Sequence, residues 1–447
     1  MAEPFRVRGT IMQTPEPDRL EVMADVVVSV DGDGTIVAID EHDRTSPDAD
    51  VELPAGSVLL PGLIDTHVHA PQWPQLGTGL DLPLEEWLLE YTFPLEARFA
   101  DPDWAAMVWP DLVHGLLAHG TTTAVYHAVV DVDATTMLAG FCADIGQRAL
   151  VGRVAMDHPD TTPEWYRDPD AAAGISASRT SIDEIRALGS DLVGPIITPR
   201  FIPACTDELL AGLGVLAAET GVAVQTHCSE SDWQHEHVLD RTGRRDTVAL
   251  DEFGLLGDHT VLAHCGLVDD EDLVRIRGRG AGIAHCPVSN AYFGNAVFGA
   301  RRALDAGVRV GLGSDVAGGA VAGLLAQCHA AVTSSRMLED GVDPTVARAN
   351  RGVPGSRIGT VTAFWMATRG GAELLGHPTG LLEVGRAFDA FAVDVAAASG
   401  RPTSPLRVWP DLDDDATIFE KVVRLATAAD ISDVWVAGRR VAGTGRS

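Results

Sequence analysis

An apolar run that ends close to two histidines constrains this chain more than any other part of its sequence. The residues from Val58 to Ile64 are almost all apolar and predict a buried strand, and His67 and His69 follow it. Side chains two residues apart on a strand point to the same face, so both imidazoles could bind one Zn²⁺ ion. A pair of buried, hydrogen-bonded histidines is the alternative, and this motif alone does not distinguish the two.

The middle of the chain repeats a strand pattern followed by a helical pattern. Nearly continuous apolar composition is typical of parallel strands that are covered on both faces. Helical segments such as 207–220 and 269–279 begin with acidic residues, as helix starts do. Eight such units predict an α/β fold, a (β/α)8 TIM-type barrel whose active site lies at the carboxyl ends of the strands. The predicted strands are 57–66, 120–127, 148–156, 192–198, 222–227, 260–264, 281–285 and 308–314.

Short strand patterns at both ends of the chain lie outside this repeat. The strands predicted at 25–30 and 35–39 flank the turn sequence Asp31–Gly34, and two more are predicted at 389–394 and 434–441. Neither end has enough apolar residues for a core of its own. We therefore expect one small β-sandwich domain built from residues 1–60 and 381–447, with the (β/α)8 barrel at 61–380.

Charge and cysteine content exclude several classes of protein. The net charge is −31, which predicts no nucleic-acid partner and no anionic membrane surface. No apolar run approaches the length of a membrane span. The six cysteines form no C-x-x-C pair, and the N-terminus does not resemble a signal peptide. These features predict a cytoplasmic protein without a disulfide framework.

We select a histidine or aspartate at, or directly after, the ends of five of the eight predicted strands, namely His67, His227, His264, His285 and Asp315. Because the carboxyl ends of barrel strands meet at one mouth, these groups should lie close together, which favours a metal site over unrelated structural histidines. Three imidazoles and one carboxylate with an open position are typical of a catalytic zinc site. We predict one Zn²⁺ per subunit, held by His67, His69, His227 and Asp315.

Further groups have predicted catalytic roles. Glu230 lies three residues after His227 and suits a proton shuttle, although it could equally be a solvated carboxylate at a helix start. His264 should hold or polarise the water, and Asp315 could accept a proton while binding the metal. A two-metal site bridged by a modified lysine is disfavoured, because Lys421 is the only lysine and the fourth strand ends at Arg200.

These residues resemble the amidohydrolase superfamily. Its pattern matches Pro61–His69, followed in order by His227, His264 and Asp315, and His227-x-x-Glu230 resembles the aminohydrolase branch, as does the segment 285–290. The finer resemblance is to the guanine deaminase family, through residues 69–72, 80–88, 91–94, 197–201 and 311–319.

The resemblance covers essentially the whole chain and implies a homodimer and a purine pocket. It implies that Gln72 and Arg200 contact the base, and Phe201 is the better stacking candidate beside them. Trp73 and Trp87 could also stack, but we interpret Trp87 as a core or interface residue, together with Phe93. The family pattern differs at several positions expected to shape the pocket, which are Pro71, Trp73, Pro74, 202–205, Tyr292 and Phe293.

The predicted function is zinc-dependent hydrolytic deamination of guanine to xanthine and ammonia, a step of purine metabolism. Two alternatives stay open: deamination of a related 2-amino heterocycle, such as 8-oxoguanine, a pterin or a triazine, and a metal-binding barrel scaffold without activity. Six further histidines receive no role in the site, namely His114, His119, His127, His158, His235 and His237.

Overall fold

Alternating strands and helices account for most of the chain in the computed structural model. The structure describes residues 3–43 and 48–443, so the parts of the predicted terminal domain at 1–2, 44–47 and 444–447 lie outside the described residues. The strands are β1 Phe5–Glu16, β2 Arg19–Val30, β3 Ile36–Glu41, β4 Val51–Glu52, β5 Val58–Pro61, β6 Leu63–His69, β7 Thr121–His127, β8 Arg148–Gly152, β9 Val154–Ala155, β10 Val193–Pro195, β11 Thr198–Pro199, β12 Gln225–Cys228, β13 Val261–His264, β14 Gly282–His285, β15 Arg309–Leu312, β16 Ala390–Val393, β17 Ile431–Val436 and β18 Arg439–Gly443.

Helices follow most of the central strands, and six short 3₁₀ turns and two π turns are also present among the described residues. Local hydrogen bonds fix where helices begin. The hydroxyl of Thr206, for example, caps the helix at 207–220 by accepting from the backbone N–H of Leu209 at 3.2 Å, as N-cap threonines do. The helices are α1 Leu84–Trp87, α2 Phe93–Glu96, α3 Pro102–Ala118, α4 Val132–Ile145, α5 Ala171–Ala187, α6 Asp207–Thr220, α7 Asp232–Thr242, α8 Asp246–Glu252, α9 Asp270–Arg279, α10 Pro287–Tyr292, α11 Ala300–Asp305, α12 Leu324–Asp340, α13 Thr360–Trp365, α14 Gly371–Leu375, α15 Val395–Gly400 and α16 Asp415–Leu425.

Strands from both ends of the chain share one eight-stranded sheet. Its order is β18-β17-β16-β5-β1-β2-β3, with β4 paired to β1. The pair β16 and β5 is antiparallel and joins the C-terminal strands to the N-terminal ones. Ala437 and Gly438 form the turn between β17 and β18, so the strand pattern predicted at 434–441 is divided between two strands.

The central strands form two parallel sheets of four strands, in the orders β10-β8-β7-β6 and β12-β13-β14-β15, and β11 pairs with β9. A parallel bridge between Ile197 and Val224 connects the two sheets on one side. On the other side the Asp315 amide donates to the His67 carbonyl at 2.9 Å, and the His69 amide donates to the Val316 carbonyl at 2.9 Å. The ends of the first and last central strands are therefore hydrogen-bonded to each other.

The strand predicted at 57–66 was wrong as a single element. It divides at Gly62 into β5, which belongs to the terminal sheet, and β6, which belongs to the parallel sheet. A Cβ at Gly62 would lie only 2.1 Å from Oγ1 of Thr122, so a larger residue does not fit where the chain passes between the sheets. The segments 148–156 and 192–198 are likewise interrupted rather than continuous.

Within 3–43 and 48–443, no helix is both long and apolar enough to cross a membrane.

Candidate active site

Four side chains predicted to bind a metal meet at the carboxyl ends of the central strands. His67 and His69 end β6, His227 lies in β12 and Asp315 follows β15. One potential ligand atom from each of them lies within 4.8 Å of the others, and all four residues are buried. The four residues are called the ligand cluster below.

Distances within the ligand cluster are those of groups that converge on one point. Nε2 of His69 lies 2.9 Å from Nε2 of His227, and Nε2 of His67 lies 3.1 Å from Oδ1 of Asp315. Nδ1 of His227 donates to the backbone carbonyl of Arg200 at 2.6 Å, since a carbonyl oxygen only accepts. The lone pair of His227 therefore lies on Nε2, the nitrogen that faces His69.

Burial keeps the cluster imidazoles neutral. It lowers the pKa of His67, and it lowers the pKa values of His69 and His227 well below their usual range, with neighbouring imidazoles acting in the same direction on the latter two. Burial opposes ionisation of Asp315, yet His67 and His264 outweigh it and lower the pKa of this carboxyl. Neutral imidazoles and an ionised carboxylate are the forms that bind a divalent cation.

Glu230 and His264 lie beside the ligand cluster. Oε1 of Glu230 is 3.5 Å from Nε2 of His264, which is 3.9 Å from Oδ2 of Asp315. Nδ1 of His264 is 3.0 Å from Oδ1 of Asn290, which fixes the imidazole ring. Burial raises the pKa of Glu230 to about 7, and the charge of Asp315 adds to the effect while His264 opposes it. A carboxyl with this pKa can both accept and donate a proton near neutral pH.

The backbone at these positions is unusual. Ser229, His264 and Asp315 have φ values of +45°, +70° and +49°, in the left-handed region that non-glycine residues rarely adopt. Such conformations cost free energy and cluster at functional sites, where the surrounding structure holds them. The three residues lie at or just after the ends of three different strands, β12, β13 and β15.

A cavity adjoins the cluster. Its lining combines polar and aromatic side chains, namely His69, Gln72, Leu84, Trp87, Leu88, Arg200, Phe201, His227, Glu230, Phe293, Asp315 and Gly318. The substrate-binding residues predicted from the sequence, Gln72, Arg200 and Phe201, are all among them. Their roles remain predictions, but the structure brings them together with the ligand cluster.

Three buried side chains form one polar wall of this cavity. Arg200 donates to Glu96 through both terminal nitrogens, at 2.7 and 3.1 Å, and Nε2 of Gln72 donates to Glu96 at 2.9 Å. Gln72, Glu96 and Arg200 are called the polar wall below. The side chain of Glu96 is fully buried behind the two residues that line the cavity.

The aromatic side chains singled out from the sequence lie in different places. Trp87, interpreted as a core or interface residue, is buried but also lines the cavity, where its ring lies 5.1 Å from that of Phe293. Trp73 does not line this cavity, and its Nε1 donates to Asp111 at 2.7 Å. Phe93 lies under the guanidinium of Arg200, at 4.9 Å from the ring centre.

Sequence reasoning missed two groups of this site. His127 received no role, but its ring centre lies 4.7 Å from those of both His67 and His69. Because it ends β7, it had the same strand-end pattern as the histidines that were selected. Glu96 was not singled out either, although a buried Arg200 needs an acidic partner and a search for one would have found it.

Comparisons with known proteins agree with this geometry. Residues 58–441 match the model of the amidohydrolase family. Guanine deaminase of Dictyostelium discoideum is 32% identical over 455 residues, covering 97% of each chain, and human guanine deaminase is 33% identical over 450 residues, covering 97% of this chain and 96% of the relative. A solved guanine deaminase of C. acetobutylicum, with bound guanine in its active site, is 28% identical and superposes with a TM-score of 0.88, covering 98% of this chain and all of that one.

The match spans nearly the whole length of these relatives, so the family resemblance drawn from the sequence is confirmed. The chain belongs to the amidohydrolase family and, within it, to the guanine deaminase family.

Proposed function

We propose that this protein catalyses the hydrolytic deamination of guanine to xanthine and ammonia. The observation that carries the proposal is that one cavity is lined by members of the ligand cluster, by Glu230, and by Gln72 and Arg200 of the polar wall. The relative from C. acetobutylicum holds guanine in its active site, and this chain shares its fold along almost its entire length.

The polar wall suits an uncharged base that carries a carbonyl group. Arg200 forms a two-pronged ion pair with Glu96, so the wall offers hydrogen-bond donors without a net charge. Because Glu96 neutralises the guanidinium of Arg200, the wall offers no net positive charge to a ligand carboxylate or phosphate. The oxygen of guanine can accept from the remaining N–H groups of Arg200, while the Gln72 amide pairs with a mixed donor and acceptor edge.

We propose that the ligand cluster binds one Zn²⁺ ion per subunit. Among the described residues, Nδ1 of His67 and Nδ1 of His69 are buried without a hydrogen-bond partner, which is costly unless a ligand satisfies this region. Three imidazoles and a carboxylate match the donors that zinc prefers. When bound, the ion acts as a Lewis acid and lowers the pKa of water to about 7.

The residues of the chain then move the protons. Glu230 takes a proton from the attacking water as its oxygen bonds to C2 of guanine, and delivers this proton to the adjacent ring nitrogen. The second proton of the water passes through Glu230 or Asp315 to the amino group. The bond between C2 and the exocyclic amino nitrogen breaks, ammonia leaves, and the carbonyl of xanthine forms at C2. His264 orients the water from its position between the two carboxylates.

We propose that the two parallel sheets close into one eight-stranded barrel over residues 61–380. The hydrogen bonds of Asp315 to His67 and of His69 to Val316 support this closure. The shared terminal sheet supports one small domain, a β-sandwich, built from residues 1–60 and 381–447. A homodimer and a cytoplasmic location stay predictions from the sequence.

A substrate panel tests the proposed function. Purified zinc-loaded protein is incubated with guanine, 8-oxoguanine, adenine, cytosine and isoxanthopterin, and ammonia release is measured beside the ultraviolet spectrum of the product. We expect the highest kcat/KM for guanine, with xanthine as the product. If kcat/KM is higher for 8-oxoguanine or the pterin, that compound is the substrate instead of guanine. If none of the compounds releases ammonia, the metal-binding scaffold is favoured.

A further inference from the structure

We propose that Glu96 is a positioning residue that sets the hydrogen-bonding pattern of the substrate cavity. It lies at the end of α2 and does not line the cavity, so it acts through Gln72 and Arg200, which do. The inference deepens the function proposed above and rests on it. No motif in the sequence pointed to this residue.

The first argument is the contact geometry. The Glu96 carboxylate makes three hydrogen bonds to the other two residues of the polar wall: Oε2 accepts from Arg200 at 2.7 Å, and Oε1 accepts from Arg200 at 3.1 Å and from Gln72 at 2.9 Å. Glu96 is 1% exposed and Arg200 is 2% exposed, so solvent does not compete for these bonds. Charge-assisted bonds in a buried site hold their partners in one geometry.

The second argument is the orientation of the Gln72 amide. Its Nε2 donates to Glu96, and its Oε1 accepts from the backbone N–H of Ala317 at 3.1 Å. A carboxylate without a proton only accepts and a backbone N–H only donates, so the two ends of the amide are not interchangeable. Gln72 therefore keeps one N–H and one lone pair for a ligand in a fixed order, whereas an amide without these partners could present either order.

The consequence concerns specificity. A base that matches this order gains bonds from Gln72 and Arg200 together, while an analogue that lacks the carbonyl leaves buried donors of Arg200 unpaired. Sites built to hydrogen-bond a substrate group reject analogues that lack it. Loss of Glu96 should therefore weaken the preference for guanine over 2-aminopurine, without removing the ligand cluster.

The test compares zinc-loaded wild type with Glu96→Gln and Glu96→Asp, and uses Glu90→Gln as the matched control because Glu90 is exposed on the neighbouring turn. A glutamine at position 96 can donate as well as accept, so it no longer fixes Gln72 and no longer neutralises Arg200. We expect Glu96→Gln to raise KM for guanine about tenfold or more with a smaller change in kcat. We expect the preference over 2-aminopurine to fall, zinc content to stay unchanged, Glu96→Asp to be intermediate and the control to match wild type.

A double-mutant cycle separates positioning from general destabilisation. If Glu96 acts partly through Gln72, Glu96→Gln should raise KM less in a Gln72→Ala background than in wild type. Equal effects in both backgrounds, an unchanged KM and preference, or a loss of zinc would each overturn the inference. If Glu96→Gln does not fold, Glu96→Asp carries the same comparison, because it keeps the charge and shortens only the reach.

The same experiment distinguishes the two proposals. If wild type is active on guanine and Glu96→Gln has the same KM and the same preference over 2-aminopurine, only the positioning role is contradicted. Wild type that releases no ammonia from guanine contradicts the proposed function and, with it, the inference that rests on it.

Discussion

The backbone carbonyl of Arg200 lies 2.6 Å from Nδ1 of His227, and this contact joins the polar wall to the ligand cluster. One residue therefore has two functions: its main chain fixes the tautomer of a predicted ligand, and its side chain faces the cavity. The two can be separated experimentally, because substitution of the side chain leaves the carbonyl in place.

Arg200→Ala should impair substrate recognition and leave zinc binding intact. The variant keeps the bond to His227 but removes the donors for the base and leaves Glu96 without its partner. We expect KM for guanine to rise about 100-fold and the preference over 2-aminopurine to fall, with zinc content near that of wild type. Steady-state kinetics measure KM and the preference, and metal analysis measures the zinc content. The exposed Arg179, paired with Glu219, provides the control Arg179→Ala. An unchanged preference would remove Arg200 from recognition.

Removal of zinc should abolish ammonia release, and added zinc should restore it. Metal analysis of protein purified without chelator should give about one zinc per subunit. His67→Ala should lower zinc affinity by at least about tenfold, because it removes one of the four proposed ligands. His114→Ala, at an exposed position of α3, should retain the metal. Full activity after complete removal of metal would refute the zinc site.

Glu230→Gln should retain zinc and lose turnover. The amide is of similar size but cannot carry the proton, so we expect kcat to fall about 10²- to 10⁴-fold. Glu236→Gln, at an exposed position of α7, is the matched control. Ammonia release and zinc content are measured on the same samples. Near-normal turnover would show that another group moves the proton.

His377 should make the protein less stable in acid. Burial lowers its pKa from 6.5 to about 4, with Arg148 adding to the effect. Between these two pH values the unfolded chain binds more protons than the folded one, so the free energy of unfolding falls as pH falls from 6.5 toward 4. The full shift corresponds to roughly 3 kcal/mol.

The variant His377→Gln tests this dependence. Urea unfolding of wild type and variant at pH 7 and pH 5 gives the free energies, and the difference between the proteins cancels titration at other sites. We expect the variant to lose less stability between the two pH values. His114→Gln should behave as wild type, and parallel curves for all three proteins would exclude His377 as the cause.

Strand-end chemistry made much of the site predictable. Parallel strands place their carboxyl ends at one edge, so His67, His227 and Asp315 could be grouped although they are far apart in sequence. The same rule identifies residues but not their distances. It could not show that Nε2 of His69 faces Nε2 of His227, because side-chain rotamers depend on the packing of the whole core.

The missed features have a different physical origin. In sequence, Glu96 lies on a short helix that is remote from any strand end. Only tertiary packing brings it to Arg200, so periodicity could not predict the pair. The division of 57–66 at Gly62 was missed because both halves are apolar. One half belongs to the terminal sheet and the other to the parallel sheet. The apolar pattern does not distinguish these two sheets.

The junction at Gly62 has a consequence for biosynthesis. Strand β5 pairs with β16, whose residues leave the ribosome more than three hundred positions later, and only Gly62 separates β5 from the strand that carries His67 and His69. During translation this first pair of imidazoles is therefore anchored on one side only until β16 has been made. A nascent chain that captured its ion early would do so on an unfinished scaffold.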